Sequence, residues 1–218
     1  VKSDAWLHAL DPRLARQLGF LMEADRLKGI IRANRISDGT RRENTAEHSW
    51  HLSLFAMVLG EWAVGEVDRF RVVAMLILHD LVEIECGDTP LYDATLSASQ
   101  DEREKQAADR IFGLLPPDQE AEFRSLWEEF EAAETIDARF AKALDRLQPV
   151  LLNHAVGGGT WTDYDVDVAR CRAKTGRIQE GSAVLWQAAE AVYRDAVANG
   201  WLRPAPDANV EAAAEASR

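Results

Sequence analysis

His79 and Asp80 close an apolar run, Leu76-Ile77-Leu78, and Glu83 follows within one helical turn. Such a run is buried, and a buried aspartate is costly unless a metal, a cation or hydrogen bonds compensate its charge. Adjacent imidazole and carboxylate donors suit a divalent metal ion. A core histidine beside a capped aspartate would leave the same trace, because most buried polar groups are simply hydrogen-bonded. His48 and His51 lie three apart near the start of another helical stretch and can share a face, so both are candidate ligands, although His51 reads equally well as a packing residue. Arg32, Arg35, Arg41 and Arg42 crowd one short segment of an acidic chain. They are either solvated cations in weak surface ion pairs or a grip for a phosphate, which paired guanidinium donors match well. Asp145 sits between Leu144 and Leu147, turned toward the core or, beside Arg146, toward water.

The elements that must position these residues are helical. Asp11-Pro12 predicts a cap and first turn for a helix reaching about Leu27, and Asn44-Thr45-Ala46-Glu47 has the capping-box pattern for one reaching about Val64. Between them, over Lys28 to Arg42, periodicity fails and Asn34, Ser37, Asp38 and Gly39 predict a loop. Asp68 caps a third helix, too apolar for a surface stripe and so central, which carries His79 and Asp80 near its end and stops at Gly87. A polar helix is expected from Ser97 to Leu115, and a second, solvated on its acidic face, from Asp118 to Ala133. Thr135 opens a buried helix through Leu151 that contains Asp145. Gly157-Gly158-Gly159 is a flexible break, and without a following lysine it is a poor match to a phosphate-cradling loop. Helices over Asp165 to Arg177 and Ser182 to Asn199 complete an all-α fold with no strand pattern, expected as one domain over 1–202 with a frayed tail over 203–218.

The 218 residues carry a net charge of −12, which opposes binding to a nucleic-acid polymer, so any phosphate partner is expected to be small. No apolar run approaches the roughly 18 residues of a membrane span, so no membrane partner is expected. The first residues lack the character of a signal peptide, and two cysteines make no disulfide framework, so the expected compartment is the cytoplasm.

Together His48, the His79-Asp80 pair and Asp145 give the order H…HD…D, in which the chain resembles the HD-domain metal-dependent phosphohydrolase superfamily. The resemblance implies an HD-domain helical bundle with a single central metal site, where His48, His79, Asp80 and Asp145 bind one divalent ion. Mn, Fe, Co, Zn or Mg would serve. A water held on such an ion has a lowered pKa while the ion draws charge from a phosphoryl oxygen, which suits phosphate-ester hydrolysis. Two stretches, Arg41-Arg42-Glu43-Asn44-Thr45-Ala46-Glu47-His48-Ser49 and His79-Asp80-Leu81-Val82-Glu83-Ile84-Glu85-Cys86-Gly87-Asp88, are similar to signatures of the bacterial and eukaryotic 5'-deoxynucleotidases, within a similarity running from about Leu18 to Asn153. The resemblance implies that Arg32 orients the phosphate, with Arg35 and Arg41 as further substrate contacts. It implies that Glu83 serves proton transfer or water positioning, that Asp88, with Thr89, faces the sugar, and that the protein is a homodimer. Ala33-Asn34-Arg35 departs from the family, which often places a tryptophan just after the phosphate arginine, so base or sugar recognition is expected to differ. No histidine occurs from Leu81 to Asn153, where two-metal members carry extra ones. The expected activity is release of phosphate from a (deoxy)nucleoside monophosphate. The alternatives are another HD hydrolase acting on triphosphates or cyclic nucleotides, and a nucleotide-sensing protein without turnover.

Overall fold

The computed structural model describes residues 4–92 and 100–205. After a 3-10 turn (Asp4–Ala9), helix α1 spans Pro12–Ala24, and the Asp11 carboxylate accepts from the Arg13 and Leu14 amides. A second 3-10 turn, Asp25–Gly29, leads into strands β1 (Ile31–Arg35) and β2 (Arg42–Asn44). This antiparallel hairpin corrects the expected loop and the expected absence of strands. Two of its five β1 residues are arginines and a third is asparagine, so no alternation of apolar and polar residues marks it. Ile31 pairs with Asn44 and Arg35 with Arg42, so four steps along β1 oppose two along β2. A bulge of this kind frees side chains and amides from the ladder and re-aims them, and Arg32, Ala33 and Asn34 lie inside it.

Helix α2 (Thr45–Leu59) begins at the complete capping box of Asn44 and Glu47, and α3 (Arg69–Leu78) at Asp68. Past Leu78 the chain tightens into a 3-10 turn, His79–Val82, then resumes as the short helix α4, Glu83–Cys86. The His79-Asp80 pair therefore stands on this tightened turn, just beyond the helix expected to carry it. With three residues per turn, Asp80 and Glu83 eclipse one another on one side. Gly87, at φ +75°, reverses the chain toward Asp88.

Helix α5 (Gln100–Phe112) is the expected polar helix, its proposed start at Ser97 lying outside the described residues. Helix α6 (Pro117–Ala132) ends at Ala133 in the left-handed conformation, and α7 (Ile136–Ala155), capped by Thr135, is the longest element. It packs against α2, α3 and α6, and against the later helices α10 (Arg177–Gly181) and α11 (Ala183–Ala198); α8 (Thr160–Asp163) and α9 (Val168–Thr175) lie between. Its buried face runs through Phe140, Leu144 and Leu147 and includes Lys142, Asp145 and Gln148. The core extends from Phe20 to Leu202, with Trp186 and Trp201 packed against it. Arg203, expected in a frayed tail, bridges to Asp167, while residues 206–218 lie outside the described part. No described helix is long and apolar enough to cross a membrane.

Candidate active site

Helices α2 and α7 and the turn after α3 bring His48, His79 and Asp145 together. One ligand atom from each lies within 4.8 Å of the others. The His48 imidazole is fully buried on the first turns of α2, where the capping box fixes the backbone. The Gln148 side-chain nitrogen donates to Glu43 Oε1 (2.8 Å), leaving Gln148 Oε1 to accept from His48 Nδ1 (3.2 Å). His48 Nε2 is thereby presented as the ligating nitrogen, 3.2 Å from Asp145 Oδ1. His79 is set in the same sense, its Nδ1 donating to the Leu76 carbonyl at 2.9 Å. The buried His79 Nε2 has no hydrogen-bond partner among the described residues. Asp80 Oδ1 is 3.0 Å from it without the alignment of a hydrogen bond, and Asp145 Oδ1, at 3.8 Å, is beyond hydrogen-bond reach. A buried lone pair aimed between carboxylate oxygens is the arrangement of a metal ligand rather than of a satisfied core histidine.

Asp80, the fourth expected ligand, faces the same point from the edge of the cluster. Its Oδ2 is 3.9 Å from His48 Nε2 and accepts from Arg32 Nη1 at 3.1 Å. Arg32 reaches in from the bulge and also lies 3.5 Å from Asp88 and 4.0 Å from Glu83, while its Nε is 3.8 Å from Glu43. Burial favours the uncharged form of each of these carboxyls, and the neighbours decide the outcome. Against burial, the charges of His79, Arg32 and His48 pull Asp80 down to about 2. Asp145 is likewise buried but is held well below the usual range by Arg146, His48 and His79. Glu83 goes the other way: burial and the adjacent Asp80 push it well above the usual value, and Arg32 offsets only part of the rise. Asp88 is raised by burial and by Asp80, opposed by Arg32 and by the Ala33 amide that donates to it at 3.3 Å. Thr45 Oγ1 donates to Glu83 Oε2 at 2.9 Å, leaving Oε1 facing Arg32.

These groups open onto a cleft of about 440 Å³ lined by Arg32, His79, Asp80, Glu83, Asp88 and Thr89, with Lys142, Arg146 and Lys174 supplying further positive charge. Thr89 accepts from Gln100 at its rim. Arg35 and Arg41, expected as substrate contacts, do not line the cleft. Arg35 is exposed at the end of the hairpin, and Arg41 forms a two-pronged pair with Glu47 at 2.8 and 2.7 Å. Both lie on the surface, Arg35 because only the bulged residues of β1 are turned inward and Arg41 through its pair with Glu47. His51 stands outside the cluster of His48, His79 and Asp145: its Nδ1 faces the Gln148 amide at 3.3 Å and its ring packs on Phe55. Glu43, Gln148 and Lys142 are site residues that pattern reading passed over. Gln148 and Lys142 had an available signal, since each is one helical turn from Asp145. Lys142 is buried with its ammonium 3.9 Å from the Phe130 ring centroid, and that ring packs at 4.7 Å on His79.

Two imidazole nitrogens with carbonyl- or amide-anchored partners, plus converging carboxylate oxygens, fit a divalent cation held by His48, His79 and Asp145, with Asp80 alongside. Several comparisons point the same way. The family model described as the HD domain matches residues 24–186. The 5'-deoxynucleotidase HDDC2 of Homo sapiens is 30% identical over 135 residues, covering 62% of this chain and 65% of the relative. The same-named protein of Danio rerio is 27% identical, covering 75% and 74%. Thus the chain spans just under two thirds of the human relative's length. The crystal structure of a predicted metal-dependent phosphohydrolase from Magnetospirillum magnetotacticum MS-1 superposes with a TM-score of 0.84 at 49% identity, covering 88% of this chain and 96% of that one. Conserved hypothetical protein Pfu-403030-001 from Pyrococcus furiosus, at 21% identity and a TM-score of 0.56, shares the fold. With three-quarters of its length matched and a histidine-aspartate cluster at its centre, the chain belongs to the HD domain family.

Proposed function

We propose that the protein is a metal-dependent phosphomonoesterase that releases phosphate from (deoxy)nucleoside 5'-monophosphates. The observation that carries this reading is the convergence of the His48, His79 and Asp145 cluster with the Arg32 guanidinium on one cleft. The relatives named 5'-deoxynucleotidase and the neighbour named a metal-dependent phosphohydrolase support it. His48, His79, Asp80 and Asp145 hold one divalent cation of the Mn, Fe, Co, Zn or Mg group, which supplies a lowered water pKa and neutralises phosphoryl charge. Arg32 orients the phosphoryl oxygens with its forked donors, exchanging its carboxylate partners for them. Glu83, held at Oε2 by Thr45 with Oε1 facing Arg32, assists the proton movements. Asp88 and Thr89 face the sugar side.

Assaying a set of nucleoside monophosphates with each of these cations should give orthophosphate from at least one monophosphate. Release of pyrophosphate or triphosphate from a nucleoside triphosphate, with monophosphates inert, would replace this reading with another HD reaction.

The protein is a single domain over 1–202, located in the cytoplasm, where the unpaired state of Cys86 and Cys171 is the usual one. It is also a homodimer. Helix α2 is apolar on both faces: Leu52 and Ala56 are buried, while Trp50, Leu54, Met57 and Val58 are exposed along the opposite side at helical spacing. A second copy is the occupant proposed for that stripe. Sedimentation equilibrium should give a dimer for the native chain and a monomer for Trp50→Glu, and a monomeric native chain would refute the assignment.

A further inference from the structure

Beside the cleft lies a side pocket that shares Arg32, Asp88, Thr89 and Asp145 with it and runs back to Asn34, Asn153 and Tyr164. Its free volume of about 50 Å³ exceeds the roughly 10–15 Å³ that one water needs, so it admits a few non-hydrogen atoms, a substituent rather than a whole base. Asn34 and Asn153, both buried, form the polar wall at its end.

The orientation of both amides follows from one group that can only donate. The Thr160 backbone N–H donates to Asn153 Oδ1 at 3.1 Å, which makes that atom the carbonyl oxygen. Asn153 Nδ2 then donates to Thr160 Oγ1 at 2.8 Å. Asn34 Nδ2 donates to the same Asn153 Oδ1, also at 2.8 Å. Asn34 Oδ1 is the atom left over, an acceptor without a partner among the described residues, set two residues beyond Arg32 in the bulge of β1.

The three-glycine turn exists to build this wall. Gly157, Gly158 and Gly159 have φ values of +71°, +125° and +49°, and a β-carbon at Gly159 would stand 2.6 Å from Asn153 Oδ1. Only glycine lets the chain turn tightly enough to bring the Thr160 amide onto Asn153. None of the three glycines lines the cleft; the turn holds Asn153 through the Thr160 amide, and Asn153 holds Asn34.

We infer that Asn34 is a specificity-determining residue, whose side-chain carbonyl accepts a hydrogen bond from the nucleoside part of the substrate, either a sugar hydroxyl or a base amino group. The inference rests on the reading of the cleft as a nucleotide site. Phosphate is held by Arg32, and Asn34 reads what is attached to it.

Calorimetric binding in a Glu83→Gln background with Mn²⁺ present tests this without consuming the ligand. Asn34→Ala should weaken deoxyadenosine 5'-monophosphate about tenfold, the size of one good hydrogen bond, and leave inorganic phosphate within about twofold. Gly159→Ala should act in the same direction by displacing Asn153. Two analogues separate the sources: the 2',3'-dideoxy monophosphate lacks the sugar hydroxyls, and purine 2'-deoxyriboside 5'-monophosphate lacks the amino group. The analogue missing the recognised group should lose about tenfold with the native Asn34 and nothing further with Asn34→Ala. Unchanged nucleotide affinity in Asn34→Ala overturns the inference, as does a parallel loss for inorganic phosphate, which would place Asn34 in the support of Arg32. Failure of the phosphomonoesterase reading looks different: nucleotide binds and discriminates through Asn34, yet the unmodified protein releases no phosphate.

Discussion

Asp145→Ala is expected to strip the divalent cation from the protein and to lower phosphate release by at least about a thousandfold, about 4 kcal/mol of barrier. Asp145 Oδ1 is the anion common to both imidazoles, 3.2 Å from His48 Nε2 and 3.8 Å from His79 Nε2. Without it two neutral donors remain, and Asp80, the other nearby carboxylate, is already engaged by Arg32 at 3.1 Å. A cation would keep too little negative charge to offset its own desolvation. The fold should survive, because alanine suits the interior of a helix and α7 is held by Phe140, Leu144 and Leu147. Metal content after gel filtration, thermal unfolding with chelator and orthophosphate release from a nucleoside monophosphate together separate site loss from unfolding. A variant that turns over normally while holding no metal would overturn the assignment of the cluster.

The helices were legible because their starts are local chemistry. Asn44 with Glu47, and singly Asp68, Thr135 and Ser182, cap the backbone amides that their spacing predicts. The H…HD…D order was legible for a different reason: ligating residue types are few, and their order survives without knowledge of packing. What periodicity could not supply was geometry made by irregular backbone. The β1 bulge that sends Arg32 inward and leaves Arg35 outside has no alternation to announce it, so four loop arginines looked alike. Asp145 illustrates the same limit, since its side of the helix was ambiguous beside Arg146 until α2 and α3 were packed against α7. Gln148 and Glu43 matter only through hydrogen bonds to groups distant in sequence, which no local pattern encodes.

Arg32→Met should destabilise the metal-free protein by about 3 kcal/mol near neutral pH, with a deficit that shrinks on acidification. The guanidinium lies within 4.0 Å of carboxylates from Asp80, Glu83, Asp88 and Glu43, and removing one partner from such a buried set leaves charge uncompensated. The pH dependence follows from the shifts. Asp80, depressed to about 2, contributes stability that is present above the ordinary carboxyl value near 4 and lost as pH falls toward 2. Glu83 and Asp88 are raised, so the folded state binds the extra protons and stability declines as pH climbs from about 4 through their elevated values. Loss of Arg32 weakens the depression at Asp80, which His79 and His48 still support, and deepens the rise at the other two, which makes the decline with pH steeper. Urea midpoints measured with chelator from pH 4 to 8 should therefore diverge between the native chain and the variant as pH increases. A deficit that stays constant over that range would assign the contribution of Arg32 to packing instead of charge. Arg32→Lys divides the two roles of the residue: a retained charge should restore much of the stability, whereas the lost fork should weaken inorganic phosphate in the metal-loaded protein by about tenfold or more. If the lysine variant bound phosphate as tightly as the native chain, a point charge at this position would be sufficient, and the two-pronged grip would have to be abandoned.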